Sequence, residues 1–346
     1  MIQEASASDR LVDARLAAAR KGDRHEFSNL TEPYRRELLA HCYRILGSLH
    51  DAEDMVQETM LRAWRRLSTF EGRASLRAWL YKIATNACLD ALDKRPRRTL
   101  PAAMYPAADP QQPLLPPVAE PIWLEPYPDD LLPDADANPE ARYTARESIT
   151  LAFLAALQSL PPRQRAVLIL CDVLDWRADE VAELLETTVS AVNSALHRAR
   201  ATLAQRYHAG GLDAADVSTA DEATRYLLDR YVAAWESADV AGLTALLRED
   251  ATFSMPPVPS WYRGRAAVRA AVSAIALGAE AGGRWRMLPV RSNAQPAFAC
   301  YRRDEAGGAH RFFGIQVLRI AGEQIVDATT FLDPTLIARF SLPATV

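Results

Sequence analysis

Residues 176–200, WRADEVAELLETTVSAVNSALHRAR, decide the fold of the middle of this chain. Apolar side chains at Val181, Leu184, Leu185, Val189, Val192 and Leu196 recur at helical spacing on both sides of a polar break at Glu186 to Thr188. The spacing predicts helices over residues 178–185 and 189–207, packed around a tight turn. That is a helix-turn-helix, whose second helix is the natural reader of a DNA major groove. Its outer side is left with Ser190, Asn193, Ser194, His197, Arg198 and Arg200, and no acid occurs from Val189 to Tyr207. Asn matches the N6/N7 edge of adenine, Arg the O6/N7 edge of guanine, and Ser either a base or a phosphate. A helical hairpin used only for protein contacts has the same apolar spacing, so the cations and the amide carry the nucleic-acid reading. Upstream, residues 143–160 read as a helix, and Pro161-Pro162 opens another over 163–174, since Pro is tolerated in a first turn.

Working outward, charge changes sign along the chain. Residues 62–98 hold ten Arg or Lys against Glu71, Asp90 and Asp93, whereas residues 99–140 hold eight acids and no Lys or Arg. Twelve prolines fall in 96–139, which predicts an extended connection. As a random coil its 42 residues average about 35 Å end to end, enough for roughly one turn of DNA. The embedded PIWLEPYPDDLL (121–132), with Trp123 and Leu124, is too apolar for a pure spacer and is expected to lie against a folded domain. A second break near 208–220 precedes a region of different texture. The organisation predicted is 10–98, a helical domain; 99–140, an acidic Pro-rich linker; 141–207, the helix-turn-helix domain; and 221–346, a third module.

In the first module residues 10–20, 24–46, 50–66 and 74–93 read as helices. Val56, Met60, Ala63 and Leu67 form a stripe toward the core, with Asp51 placed ahead of the run as its cap. Asp54, Gln57, Glu58 and Leu61 lie on another flank, a mixed acidic and apolar surface suited either to solvent or to a protein partner. The helix over 74–93 carries Arg77, Lys82, Asn86 and Asp90 off its apolar side, with Phe70 and Trp79 nearby and Lys94-Arg95-Pro96-Arg97-Arg98 following. Cations, an amide and aromatic rings together can hold phosphates and stack unpaired bases, although each ring alone is more often core.

The third module reads as helices over 222–235, 240–247 and 266–277, a strand over 251–255, and then strands over 284–292, 297–303, 310–320 and 325–332 joined by turns such as 305–308. Helices followed by an antiparallel meander define an α+β fold. Trp235, Met255, Trp261, Tyr262, Phe298, Phe313 and Asp327 are candidates to line a pocket. Leu336, Ile337 and Phe340 in the tail are candidates, with Trp123 and Leu124, for contacts between modules.

CYRILGSLHDAEDMVQETMLRAWRRLSTFEGRASLRAWLYKIATNACLDALDKR (42–95) and LQSLPPRQRAVLILCDVLDWRADEVAELLETTVSAVNSALHRAR (157–200) resemble, in this order, the two conserved domains of extracytoplasmic-function sigma factors. YVAAWESADVAGLTALLREDATFSMPP (231–257), YRGRAAVRAAV (262–272) and FFGIQVLRIAGEQIVDATTFLDP (312–334) resemble a SnoaL-like, ketosteroid-isomerase-like cone. The resemblance implies two all-α domains, the second with a helix-turn-helix, plus a C-terminal α+β cone. It implies that Asp54, Gln57, Glu58 and Leu61 grip core RNA polymerase, that Phe70 to Arg98 opens the -10 element, and that Trp176 to Arg200 reads the -35 element. Glu186 departs from the Gly usual in the family's turn, and Asn193 and Ala195 from its frequent Lys or Arg. Ser254-Met255-Pro256-Pro257 stands where the isomerase has a carboxylate, so the cone is expected to regulate or bind rather than catalyse.

No cofactor or metal is expected: Cys42, Cys88, Cys171 and Cys300 are far apart, in no CxxC arrangement. With no leader motif and no apolar run of ~20 residues, a cytoplasmic protein without a membrane partner is expected, monomeric when free. A regulator that never joins polymerase is the main rival, but would leave the first module unexplained; a fusion with a small-molecule-binding or catalytic cone is the other.

Overall fold

The computed structural model describes residues 7–346 apart from residues 73, 95, 119–121, 134–143, 145, 211–221, 279–280 and 304–307. The linker acids Asp134, Asp136 and Glu140, the tether over 211–220 and most of the turn at 305–308 therefore lie outside the described residues. The chain forms two compact units: Met1–Arg97 with Leu131–Asp136 and Leu157–Ala204, and Arg98–Asp130 with Ala137–Ala156 and Gln205–Val346.

The first unit opens with α1 (Ala7–Arg20), α2 (Arg24–Thr31), α3 (Arg35–Leu46), α4 (Leu49–Arg66) and α5 (Leu76–Leu92). The single helix expected over 24–46 is two, because Pro33 has no N–H and sits in a 3-10 turn, Glu32–Tyr34. Gly47 ends α3 at φ +72°, a conformation that costs Gly nothing. Ser48, not Asp51, caps α4: its Oγ accepts from Asp51 N at 3.0 Å, and Asp51 is buried inside the first turn. The stripe of Val56, Met60, Ala63 and Leu67 is buried, as are Leu38 and Ile45 of α3 and Leu80 and Ile83 of α5, the two helices that α4 meets.

The unit continues through the end of α6 (Leu151–Gln158), α7 (Pro162–Leu168), a π turn (Ile169–Val173), α8 (Ala178–Leu184) and α9 (Val189–Gly210). In the helix-turn-helix seam Val181, Leu184 and Val192 are buried. Val189 is not: it is 44% exposed, because the turn places it at the first position of α9, on the outer side. Glu186 takes the left-handed conformation, φ +52°, that the family gives to Gly. Thr187 N bonds Ala182 O at 2.9 Å and Leu185 N bonds Val181 O at 3.0 Å, so the carbonyls at the end of α8 are satisfied around it.

Arg165 of α7 is fully buried and bonded throughout. Its Nε donates to Leu157 O at 3.0 Å, Nη1 to Gln158 Oε1 at 2.6 Å and to Ile45 O, and Nη2 to Gln158 O and Leu160 O, each at 3.1 Å. Burial, with Arg97 nearby, pushes its pKa down to about 9. This one guanidinium ties the end of α3 to the start of the second helical module.

The second unit contains α10 (Glu222–Glu236), α11 (Val240–Ala245), β1 (Leu247–Met255), β2 (Val258–Arg263), α12 (Arg265–Ile275), β3 (Trp285–Ser292), β4 (Gln295–Arg303), β5 (His310–Ala321), β6 (Gln324–Phe331) and α13 (Leu336–Arg339). The sheet order is β2-β1-β6-β5-β4-β3. β3 to β6 form the expected antiparallel meander, but β1 adds beside β6 in parallel. β2 has no counterpart in the expected strands; it is an edge strand, where Pro259 removes no needed ladder bond. One face of the sheet packs on α10 and α12 through Tyr231, Trp235, Phe253, Met255, Val268 and Phe298. The other packs Ala297, Tyr301, Ile315 and Phe331 against Leu151, Leu336, Phe340 and Leu100.

The described residues of 98–130 are held in place by hydrogen bonds. Thr99 N bonds Ile122 O and Leu124 N bonds Thr99 O, both at 2.8 Å, closing the segment on itself. Ala108 N bonds Trp261 O at 2.7 Å and Val118 N bonds Pro257 O at 3.0 Å, covering the β2 edge that would otherwise invite a foreign strand. Ile122, Trp123, Leu124 and Tyr127 are buried. Their burial outweighs the stiffness and charge from which an extended spacer was expected.

The β3–β4 turn fixes the end of this segment. Asn293 and Ala294 both have φ near +56°, the two left-handed residues of a tight hairpin turn. Tyr127 N donates to Asn293 Oδ1 at 2.9 Å, Asn293 N to Tyr127 O at 2.9 Å, and Asn293 Nδ2 to Ile149 O at 2.9 Å. Asp129 accepts from Ala294 N at 2.8 Å and pairs with Arg291 at 3.3 Å, while Leu151 N donates to Gln295 Oε1 at 2.9 Å. One buried turn thus clasps two stretches of chain that lie twenty residues apart.

Candidate functional site

Three surfaces of the first unit gather the expected binding residues. The first is a groove beside α4 and α5 lined by Asp54, Gln57, Glu58, Leu61, Arg62, Asp90 and Lys94. Leu61 is 50% exposed in it. Arg62 Nε donates to Glu58 Oε1 at 2.7 Å and Nη1 to Asp90 Oδ2 at 3.1 Å, a cation holding two carboxylates on one rim. Asp90 was expected on the DNA face. It lines this acidic groove, eight residues, about 12 Å, beyond Lys82 along α5.

The second surface is a cleft of about 740 Å³ lined by Phe70, Gly72, Arg77, Trp79 and Lys82, and across from them by Asp175, Trp176, Glu180 and Glu183. Phe70 and Trp79 lie 5.0 Å apart with planes tilted 41°, and Phe70 O accepts from the Arg20 guanidinium. Phe70 is buried and Trp79 half-buried, so the pair presents Trp79 to the cleft. Arg77 Nε donates to Glu37 Oε2 at 2.7 Å, its guanidinium sits 4.9 Å over the Tyr81 ring, and Tyr81 OH donates to Glu37 at 3.2 Å. Below them His41 Nε2 is 2.8 Å from Thr85 Oγ1, and burial, with Arg44 and Arg77 adding to it, holds His41 down to about 3, hence neutral. Lys82 Nζ reaches Glu186 of the helix-turn-helix at 3.0 Å, and Tyr81 stacks obliquely on Trp176 at 5.4 Å. Asn86, one turn beyond Lys82, is half-buried.

The third surface is the outer side of α9, where Val189, Ser190, Asn193, Ser194, His197 and Arg198 line one shallow depression. Thr188 Oγ1 accepts from Ala191 N at 3.2 Å and starts the helix. Arg200 stands apart: Nε and Nη2 grip Asp172 at 3.0 and 2.6 Å, so this expected DNA contact braces α9 against the π turn. Sequence reasoning placed Val189 in the seam and passed over Arg165. Only the rarity of a fully buried Arg hides the latter, since PPRQR reads as an exposed helix start.

In the second unit Trp235, Met255, Tyr262 and Phe298 are buried in the core on the helical face, with Phe313 packed against it. Trp235 meets Trp285 edge-on at 5.6 Å, and Trp285 meets Phe313 at 5.0 Å. Two expected pocket residues are elsewhere. Trp261 donates from Nε1 to Tyr105 O at 2.8 Å, facing the 98–130 segment. Asp327 pairs in register with Thr252 and Arg319, and its carboxylate accepts from Thr252 Oγ1 and, at 2.9 Å, from Thr329 Oγ1. Its neighbour Ala328, one residue on and so on the opposite side of the strand, is in the helical-face core. Burial raises the Asp327 pKa against the pull of Arg319 and the two hydroxyls. Of the tail residues Leu336 is buried, and Ile337 and Phe340 are half-buried, Phe340 within the second core of the same unit. Among the described residues no group of His, Cys, Asp and Glu is placed to hold a metal, and no helix is long and apolar enough to cross a membrane.

A groove rimmed with carboxylates, a cleft of cations and stacked rings, and a helix-turn-helix reader together define a factor that brings a polymerase to DNA. Family descriptions match in the same order: Sigma-70 region 2 over residues 30–98, Sigma-70, region 4 over 150–203, and a SnoaL-like domain over 228–328. The chain belongs to the ECF RNA polymerase sigma factors, being 46% identical over 341 residues to SigG of Mycobacterium tuberculosis, across 96% of this chain and 90% of that one. SigJ of the same organism is 31% identical over 225 residues, 64% of this chain and 62% of its own. SigW of Bacillus subtilis is 28% identical over 195 residues, 56% and 95%. The crystal structure of SigJ shares the fold, with TM-score 0.58 and 20% identity over 91% of this chain and 99% of that one. The protein binds core RNA polymerase, recognises promoter DNA and initiates transcription.

Proposed function

We propose that the second unit regulates this sigma factor by governing the reach of the segment that joins its two DNA-reading modules. The observation that carries the reading is the clasp at Asn293, which holds Tyr127 at one end of the joining chain and Ile149 at the other. A free linker would let the -10 and -35 modules adjust to their spacing; a linker bound along β2 and clasped at both ends does not. Polymerase and promoter must then favour an arrangement the clasp permits, or bind strongly enough to open it. In the same reading the protein is a cytoplasmic monomer when free.

Within the sigma modules, Asp54, Gln57, Glu58 and Leu61 dock on polymerase, Trp79, Lys82 and Asn86 work in promoter opening, and Asn193, Ser194, His197 and Arg198 face the upstream element. Lys82 is bound to Glu186 before DNA arrives, so a phosphate must replace a carboxylate there. The cone is a binding and regulatory module without catalysis. Supporting this, its half-buried carboxylate Asp327 is spent on Thr252 and Thr329 rather than on the core of the helical face.

The test is run-off transcription by core polymerase with the full chain and with chains ending at 208 and at 332. Regulation by the second unit predicts that both truncations change activity. Equal transcription by all three would make the unit a passenger.

A further inference from the structure

The first unit shows, among its described residues, two large apolar side chains at more than a third exposure: Leu61 in the acidic groove and Val189 on α9. Scattered exposed apolar residues are ordinary, but these two lie within the surfaces given to partners. Val189 shares its depression with Asn193 and His197, each one turn further on, and with the parallel row Ser190, Ser194 and Arg198. It opens the helix, the end that meets base edges when such a helix enters the major groove. The hydroxyl of the preceding Thr188 is committed to Ala191 N. A branched side chain with one favoured rotamer presents its two methyls at little entropic cost.

We propose that Val189 is a specificity-determining residue that reads the C5 methyl of a thymine in the -35 element. In the major groove that methyl is the one apolar feature of a base edge, and an aliphatic side chain is its complement. Four residues of helix rise about 6 Å, so the thymine lies about two base steps from the base under Asn193. The inference rests on α9 being the -35 reader.

The test uses holoenzyme assembled from core polymerase and the full chain, and promoter duplexes randomised at the -35 element, synthesised once with thymidine and once with deoxyuridine. Deoxyuridine removes the methyl and changes nothing else in the pairing. Wild type is expected to select thymine at one position, and to lose about fourfold in affinity when that position carries deoxyuridine. Val189→Ala keeps the helix, since Ala is the better helix former, and is expected to bind both duplexes alike. A wild type indifferent to deoxyuridine, or a Val189→Ala protein that keeps the full deoxyuridine penalty, overturns the proposal. Asn193→Ala, run alongside, separates the two readings: if it leaves both -35 preference and affinity unchanged, α9 is not the reader; if it shifts preference while Val189→Ala does not, Val189 alone is wrongly assigned.

Discussion

Asp54 and Glu58 sit off the buried stripe of α4, so they can be changed without touching the core. Charge reversal at both is expected to weaken binding to core polymerase tenfold or more while the melting temperature moves little. The Glu58–Arg62 pair is exposed, and such a pair adds only a few tenths of a kcal/mol to stability. Pull-down with unchanged yield would remove the groove from the docking role. Asn193→Ala should alter preference among -35 variants by about 1–3 kcal/mol, read by competition binding; a uniform loss on all sequences would mark a phosphate contact. His41 gives a pH test. Its folded pKa of about 3 lies below the ordinary 6.5, so the unfolded chain binds its proton first. The contribution to stability is complete above pH 6.5 and is lost as pH falls toward 3, by up to several kcal/mol. Urea unfolding at pH 7 and 5 should show a steeper decline for wild type than for His41→Gln. At this scale the sequence showed which residue types gather in a motif. It did not show which of them another side chain had already engaged: Arg200 by Asp172 and Arg77 by Glu37 are pairs made across 28 and 40 residues.

Periodicity made the helices of the first unit and the meander of the second legible, because each buries one continuous face. It failed where the cause was not periodic. β2 was absent from the expected strands; it carries Pro259, which an edge strand tolerates. Asp327 read as a pocket residue because its face depends on register with Thr252, which no local pattern reports. The acidic, proline-rich stretch read as an extended connection on its composition, with the apolar 121–132 excepted as a segment to lie against a folded domain; Trp123, Leu124 and Tyr127 are buried, and the stretch before them is held as well. The hairpin turn that clasps the end of that stretch can be tested by itself. Asn293→Gly keeps the left-handed backbone but removes three side-chain hydrogen bonds, costing about 1–3 kcal/mol locally. Amide hydrogen exchange at Leu124 and Tyr127 should accelerate at least tenfold while β4 and β5 stay protected. Unaltered exchange at those two amides would show that the turn is not what holds the segment.

At the scale of the whole molecule, order of modules was legible and their composition was not. Each compact unit is discontinuous: the first takes its helices from both sides of the linker, and the second takes the linker from between the two sigma modules. Arg165 is the reason for the first, Asn293 for the second.

The buried Arg165 also constrains the order in which the protein can be made. Its guanidinium needs Ile45 O, offered early, and Gln158, offered more than a hundred residues later. On the ribosome the acidic groove of α4 and α5 is thus built from residues that emerge long before the chain that completes their unit, and the linker emerges before the sheet edge that will cover it. For much of its synthesis the nascent chain holds the residues of the proposed docking groove and not yet the clasp, so a growing polypeptide and a released one differ in what they can offer the same polymerase.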